Sequence, residues 1–286
     1  PMAFHFFVSF VLYLRVGATI VICPDHLAET ILGAANRHRG TLLYASPPHY
    51  RLLAADASGA RFETLRRAIS TAMGLPPAVA HAFRERFGFP ITQAYGIIEV
   101  GLPLINLDQP GERPDSVGRP LPDYQVATLD ARLDPLPAGA VGELALRGPG
   151  MFDAYLSPPR PRREVLRNGW FLTGDLARQD EEGFVTLVGR RKTMINVGGN
   201  KVFPEEVESV LHSHPRVAAA RVSGRQHAQT GEGVHAEVVL KNPAEPVAAE
   251  ELRSFCRQQL SSYKVPQSIA FVSAVAETPS GKIRRV

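Results

Sequence analysis

The chain is poor in cysteine, has no glycosylation sequon and has no long apolar run, and each shortage narrows what it can be. Only Cys23 and Cys256 occur in 286 residues. Two cysteines make no disulfide framework, and they lack metal-ligand spacing. No Asn-x-Ser/Thr triplet occurs, which fits a reducing compartment, the cytoplasm. The most apolar stretch near the start, residues 4–14, is stopped by Arg15 and Gly17. That is short of the ~20 residues a membrane span needs, so no transmembrane segment is expected. It also lacks the basic leader and cleavage site of a signal peptide. There is no internal repeat and no low-complexity segment. The net charge of +4 comes from scattered residues, so nucleic-acid binding is not implied. The short basic cluster at residues 160–163 reads as a solvated loop. His212 and His214 sit at a helix end without carboxylate or cysteine company and read as surface residues, not a metal site.

What remains is an ordinary globular composition, 44% hydrophobic and 21% charged. The length supports a large core and one to three domains. Residues 1–100 alternate helix and strand signals. A buried helix at the start feeds a buried strand at 18–23. A helix at 26–39 stops at Gly40, and a strand at 41–44 runs into Ser46-Pro47-Pro48, which cannot continue it. Another strand candidate is 65–69. Pro76 and Pro77 open a helix with Val79, Phe83 and Phe87 at four-residue spacing and Gly88 as its stop. A strand at 90–95 follows. Strand-helix-strand order implies a helix-covered parallel sheet. From 116 to 188 short strands such as 125–129 and 142–146 alternate with Pro/Gly turns, which reads as a small antiparallel, barrel-like sheet. After Arg190 a compact α+β unit begins: a helix from Phe203-Pro204, strands at 217–222 and 234–240, a helix at 249–260 and a strand at 269–272. The expected fold class is therefore α/β, with domains at 1–190 and 191–286.

The chemistry concentrates between Asn168 and Glu208. Thr173-Gly174-Asp175 precedes an acidic turn, and Gly189-Arg190 follows it. Asp175, placed after a glycine turn at the end of a strand, can accept both hydroxyls of a ribose. Arg190 offers a rigid fork of donors for the sugar or a phosphate. Gly198-Gly199 and Pro204-Glu205-Glu206-Val207-Glu208 come next. Near the end stands Pro279-Ser280-Gly281-Lys282-Ile283-Arg284-Arg285, where Gly281 lets the backbone approach a ligand and Lys282 is a mobile point charge. A Walker A loop is excluded, because Ile283 follows Lys282 and Ala276 stands where that loop has glycine.

These motifs, in this order, resemble the adenylate-forming (AMP-binding) superfamily of acyl-CoA synthetases, nonribosomal adenylation domains and luciferase. The resemblance covers essentially the whole chain and matches the C-terminal part of such an enzyme, the back of its large domain plus its small lid domain. The family's phosphate loop has no counterpart here, so the chain is expected to be a fragment of a longer enzyme. The resemblance implies ATP-dependent activation of a carboxylic acid through an acyl-adenylate and transfer to a thiol. Its cofactors would be ATP, Mg2+ and CoA or phosphopantetheine. It assigns catalysis to Lys282 and Glu99, with Glu99 also holding Mg2+. Tyr95, in Tyr95-Gly96-Ile97-Ile98-Glu99, would pack on adenine, and Ile98 replaces a threonine that meets phosphate. Asp175 and Arg190 would bind the ribose, and Gly198-Gly199 would line the pantetheine tunnel. Lys192 would be the hinge of a domain rotation. His5 either gates the acyl-carboxylate pocket or is simply packed, and Met73 either shortens that pocket or belongs to the core. The leading reading is an acyl-CoA ligase of fatty acid metabolism acting on a fatty or aryl acid. An acyl-adenylate ligase loading a separate acyl carrier protein and a catalytically impaired nucleotide-binding relic stay open as alternatives.

Overall fold

The computed structural model describes residues 10–276. Within them the chain forms two units. One runs to Thr173 and resumes at Ala177–Leu187, and the other comprises Gly174–Leu176 and everything from Val188 onward.

The first unit is built on three parallel strands: β1 (Leu42–Ala45), β2 (Arg67–Ser70) and β3 (Ile91–Ile97), adjacent in that order. Antiparallel β4 (Gly101–Ile105) and β5 (Arg119–Pro120) extend the sheet. Helix α1 (Ala28–Arg37) precedes β1, α2 (Pro47–Ala55) connects β1 to β2, and α3 (Pro77–Phe87) connects β2 to β3. In α3 the four-residue spacing of Val79, Phe83 and Phe87 places all three in the core. Gly88 ends the helix at φ +86°, a left-handed cap that glycine adopts without strain. Phe83 meets Tyr50 edge-on at 5.3 Å, and both are fully buried. The Tyr50 hydroxyl shares its hydrogen between the carbonyls of Ile69 (2.7 Å) and Leu43 (3.2 Å).

One expectation fails here. Residues 18–23 form no strand, and Val21 and Ile22 are exposed. A strand needs a neighbour for its backbone groups, and no described strand pairs with this one. Most of the helix expected before it lies outside the described residues, and its described turn Leu12–Arg15 has no buried residue. Conversely, Pro47-Pro48 stops β1 but starts α2, because a helix's first turn needs no N–H from proline.

The second sheet holds β6 (Gln125–Leu129), β7 (Val141–Arg147), β10 (Phe171–Gln179) and β11 (Val185–Arg190) in the order β11-β10-β7-β6. Of the expected antiparallel sheet or small barrel it is the sheet, open rather than closed, since among the described residues its end strands do not pair with each other. A two-stranded ribbon, β8 (Ala154–Leu156) with β9 (Pro159–Pro161), lies between β7 and β10 in the chain. Leu144, Leu146, Phe171 and Val185 pack with Tyr95, Val100 and Leu104 in a second core.

The second unit pairs β12 (Ile195–Val197) with β13 (Asn200–Val202), and β14 (Val217–His227) with β15 (Gly231–Leu240). Strand β16 (Ser268–Phe271) runs parallel to β15. Helices α4 (Pro204–Ser213) and α5 (Ala249–Arg257) supply Val207, Leu211, Leu252 and Cys256 to a core shared with Val222, Val234, Ala236 and Val238. The β14–β15 ladder continues to His227 and Gly231, beyond the apolar runs that mark its middle, because backbone pairing does not need apolar side chains on both faces. No described helix is long and apolar enough to cross a membrane.

Gly118 sits at φ +90° with its backbone against β4. A Cβ there would fall 2.1–2.3 Å from Ile105 and Asn106 main-chain atoms. Gly118→Ala should destabilise the first unit by more than about 1 kcal/mol, measured by denaturant unfolding followed at the tyrosines. A midpoint unchanged from wild type would contradict this packing.

Candidate active site

In open α/β sheets ligands bind beyond the carboxyl ends of the strands, and here the ends of β1 and β2 lie side by side while β3 runs on beside them to Ile97. Ala45 is in register with Ser70, and Ser70 with Gln93. Beyond β2, Thr71 is buried and its N–H donates to Ala45 O at 3.3 Å. Ala72 takes φ +76°, a strained value for a residue with a Cβ. Met73 follows, half-buried. Gln93 fixes the loop's far side, since its Oε1 accepts Leu75 N–H at 3.1 Å and its Nε2 donates to Pro114 O at 2.6 Å. The Ser70 hydroxyl is buried without a hydrogen-bond partner, the kind of group a bound ligand would satisfy.

At the end of β3 the strand bulges between Tyr95 and Ile97. Tyr95 is 9% exposed and its ring belongs to the second core, so little of its surface is left to a ligand. Ile98 points outward, 55% exposed, and offers no hydroxyl. Glu99 is held twice by one distant segment. Phe152 N–H donates to Glu99 O at 2.8 Å, and the Tyr155 hydroxyl donates to Glu99 Oε1 at 2.9 Å. Burial, then the hydrogen bond and charge of Glu99, push the Tyr155 phenol up to about 12. Tyr155 was not singled out from sequence. It lies 56 residues from Glu99, and nothing local marks it.

Mg2+ usually takes one or two carboxylates and draws its remaining ligands from phosphates and water. Glu99 fits that need: Tyr155 takes one oxygen and leaves the other to a cation. Among the described residues no group of three or more His, Cys, Asp or Glu could hold a metal alone.

The second unit carries the other carboxylate. Asp175 lies inside β10 rather than at a strand end, because the strand continues to Gln179 past the turn that Gly174 makes at φ +75°. Its side chain is 8% exposed, and Oδ1 is 2.8 Å from Arg190 Nε. Arg190, at the end of β11, is 63% exposed, so the pair is screened and worth on the order of 1 kcal/mol or less. The preceding Gly189 is hemmed in, since a Cβ there would lie 2.9 Å from Glu205 Oε2 and 3.2 Å from Phe203. Lys192 is exposed in the single 3-10 turn Arg191–Thr193. Gly198 (φ +57°) and Gly199 (φ +89°) form the two-residue turn between β12 and β13, a conformation suited to glycine. His5 and Lys282 lie outside the described residues.

His214 corrects the surface reading. It is 6% exposed, packs edge-on to Phe255 at 4.9 Å and accepts the Arg216 N–H at Nδ1. His212 Nδ1 lies 2.8 Å from Glu208 O in its own helix.

Residues 1–156 match the family of AMP-binding enzymes, and residues 206–282 match the AMP-binding enzyme C-terminal domain. The chain belongs to the AMP-binding enzyme family. Among relatives of this AMP-binding enzyme, a feruloyl-CoA synthase from Amycolatopsis is 32% identical over 93% of the chain and 55% of its own length. A mitochondrial medium-chain acyl-CoA ligase from Bos taurus is 32% identical over 94% of the chain and 45% of its own length. The crystal structure of ATP-bound MatB from Rhodopseudomonas palustris superposes with a TM-score of 0.89 at 28% identity, covering 99% of this chain and 57% of that one. The chain thus spans about half the length of the proteins it matches. It shares their mixed α/β fold.

The Glu99–Tyr155 bond has a direct readout. With carbon-labelled tyrosine, the Tyr155 resonance should remain that of the neutral phenol up to about pH 11. In Glu99→Gln its ionisation should begin earlier, yet stay above the usual tyrosine value because burial persists. An unchanged titration in the variant would show that the two groups do not meet.

Proposed function

We propose that this AMP-binding enzyme, as part of the full-length protein, activates a carboxylic acid with ATP through an acyl-adenylate and passes the acyl group to the thiol of CoA. The observation that carries the reading is the Asp175–Arg190 pair at 2.8 Å, in the unit that also presents the Gly198-Gly199 turn. Asp175 is a nearly buried acceptor with a guanidinium beside it, a donor–acceptor set suited to ribose hydroxyls and the adjoining phosphate.

In the first half-reaction the acid's carboxylate oxygen attacks the α-phosphorus of ATP, and the bond to pyrophosphate breaks. Negative charge gathers on phosphate oxygens, so the step needs a cation and a fixed geometry. We assign the cation to Lys282. We assign Glu99 to Mg2+, which would supply charge neutralisation between the phosphates. In the second half-reaction the thiolate sulfur attacks the acyl carbonyl and AMP leaves, while the thiol proton passes to solvent. The Gly198-Gly199 turn carries no side chain and leaves room for a pantetheine arm. Lys192, exposed beside the end of β11, is our candidate hinge between the half-reactions, and His5 our candidate gate at the acyl-carboxylate pocket. Domains at 1–190 and 191–286 follow from this assignment.

The acid is fatty or aryl. The two relatives named above, a feruloyl-CoA synthase and a medium-chain acyl-CoA ligase, support that range and do not choose within it. Met73, on the loop beyond β2, is our candidate for setting acyl length. Both cysteines are free thiols, which supports a reducing compartment such as the cytoplasm. One observation favours a weaker enzyme: exposed Ile98 provides no donor where a hydroxyl would meet phosphate. The loss of one neutral hydrogen bond, about 0.5–1.5 kcal/mol, slows a reaction roughly 2- to 12-fold and does not abolish it. A carrier-protein phosphopantetheine in place of CoA would use the same turn.

The test is carboxylate-dependent exchange of labelled pyrophosphate into ATP by the full-length protein. Exchange should depend on the acid and fall at least about 100-fold in Lys282→Ala. Binding of ATP without exchange for any fatty or aryl acid would favour the relic. Across acids of graded length, Met73→Ala should move the optimum to longer chains, and an unchanged preference would remove Met73 from the pocket. Lys192→Pro should impair one half-reaction more than the other, whereas equal loss of both would remove the hinge.

A further inference from the structure

The β12–β13 turn is held in place by a side chain from a different strand. Glu232, near the start of β15, accepts the Asn196 N–H at 2.6 Å through Oε2. Asn196 Oδ1 in turn accepts the Gly199 N–H at 2.9 Å, and Thr230 O accepts the Gly198 N–H at 2.9 Å. Thr230 is itself tied down, because its hydroxyl donates to Glu232 O at 2.6 Å and lies 2.9 Å from His227 Nδ1. The amides of both glycines thus already have hydrogen-bond partners within the chain. The route of the carboxylate explains another glycine. Glu232 crosses Gly224 of β14, where a Cβ would stand 2.9 Å from Glu232 Oε1 and 3.2 Å from Ile195.

We infer that Glu232 is a positioning residue for the Gly198-Gly199 turn and, through it, for the thiol-transfer half-reaction. Two successive glycines have more backbone freedom than any other pair, so a tip built from them holds one shape only if something outside it does so. The backbone pairing of β12 with β13 spans three residue pairs, a ladder too short to be stable alone. Glu232 and Thr230 provide the outside support from the β14–β15 turn. Because Asn196, Gly198 and Gly199 are all exposed, the brace shapes the surface that a thiol would meet. It touches no group assigned to adenylation.

The inference rests on the reading that this turn serves thiol transfer, and the experiment separates the two. In the full-length protein, amide hydrogen exchange at residues 196–199 reports the brace. Acid-dependent pyrophosphate exchange and single-turnover transfer from preformed acyl-adenylate to CoA report the half-reactions. Glu232→Ala should speed amide exchange at the turn and slow thiol transfer about 10-fold, with pyrophosphate exchange within about twofold of wild type. Glu232→Gln keeps a carbonyl acceptor and should restore transfer to within about threefold. Gly224→Ala, by displacing the carboxylate, should reproduce the defect of Glu232→Ala. Equal slowing of both half-reactions, or faster amide exchange with both rates unchanged, would overturn the positioning role. A wild-type protein that forms adenylate but never transfers to CoA would overturn the CoA reading, while amide exchange would still decide whether the brace exists.

Discussion

A single buried hydroxyl sets the geometry on which the first unit depends. Tyr50 is wholly enclosed among Phe83, Leu53 and their neighbours, and its hydroxyl can find no water. It must therefore reach the carbonyls of Leu43 and Ile69. This locks α2 onto two adjacent parallel strands at once and burial pushes the phenol well above its ordinary value. Those strands end one residue apart in register from the Ser46 and Thr71 turns. The loops where a ligand would lie are thus anchored from beneath by an interaction that never touches it.

The two carboxylates of interest are handled by different chemistry. Glu99 gives one oxygen to a neutral phenol, which fixes its orientation without setting a positive charge beside it. Asp175 meets a guanidinium that remains largely in water. A neutral partner leaves a carboxylate hungry for a cation, whereas a charged partner partly satisfies it. That contrast is the physical basis for the different roles proposed for Glu99 and Asp175.

Much of this was legible in the sequence where local chemistry decides local shape. Proline at the start of α3 and glycine at its end each dictate a backbone conformation by themselves, and the glycine pair between β12 and β13 marks a turn whose shape is set from outside. The ordered motifs from Asp175 to Lys282 identified the family before any fold was known. Features that depend on distant partners were not legible. Tyr155 meets Glu99 across 56 residues. His214 looks like a solvent residue until Phe255, from α5, covers it. Asp175 seemed to end a strand because a glycine preceded it, yet ladder pairing carried the strand onward. Residues 18–23 have every local property of a buried strand and lack only a described neighbour.

The two thiols carry one more implication. Cys256 is fully enclosed in the core of the second unit, and burial pushes it up to about 11. At neutral pH only about one molecule in ten thousand would hold it as thiolate. Cys23 is raised as well, by partial burial and then by Asp25. An enzyme that generates activated acyl groups runs the hazard of acylating itself, since sulfur is the nucleophile such groups react with most readily. Both thiols of this chain are held above their ordinary values, so under the proposed function they would be weak competitors for an acyl group meant for an external thiol.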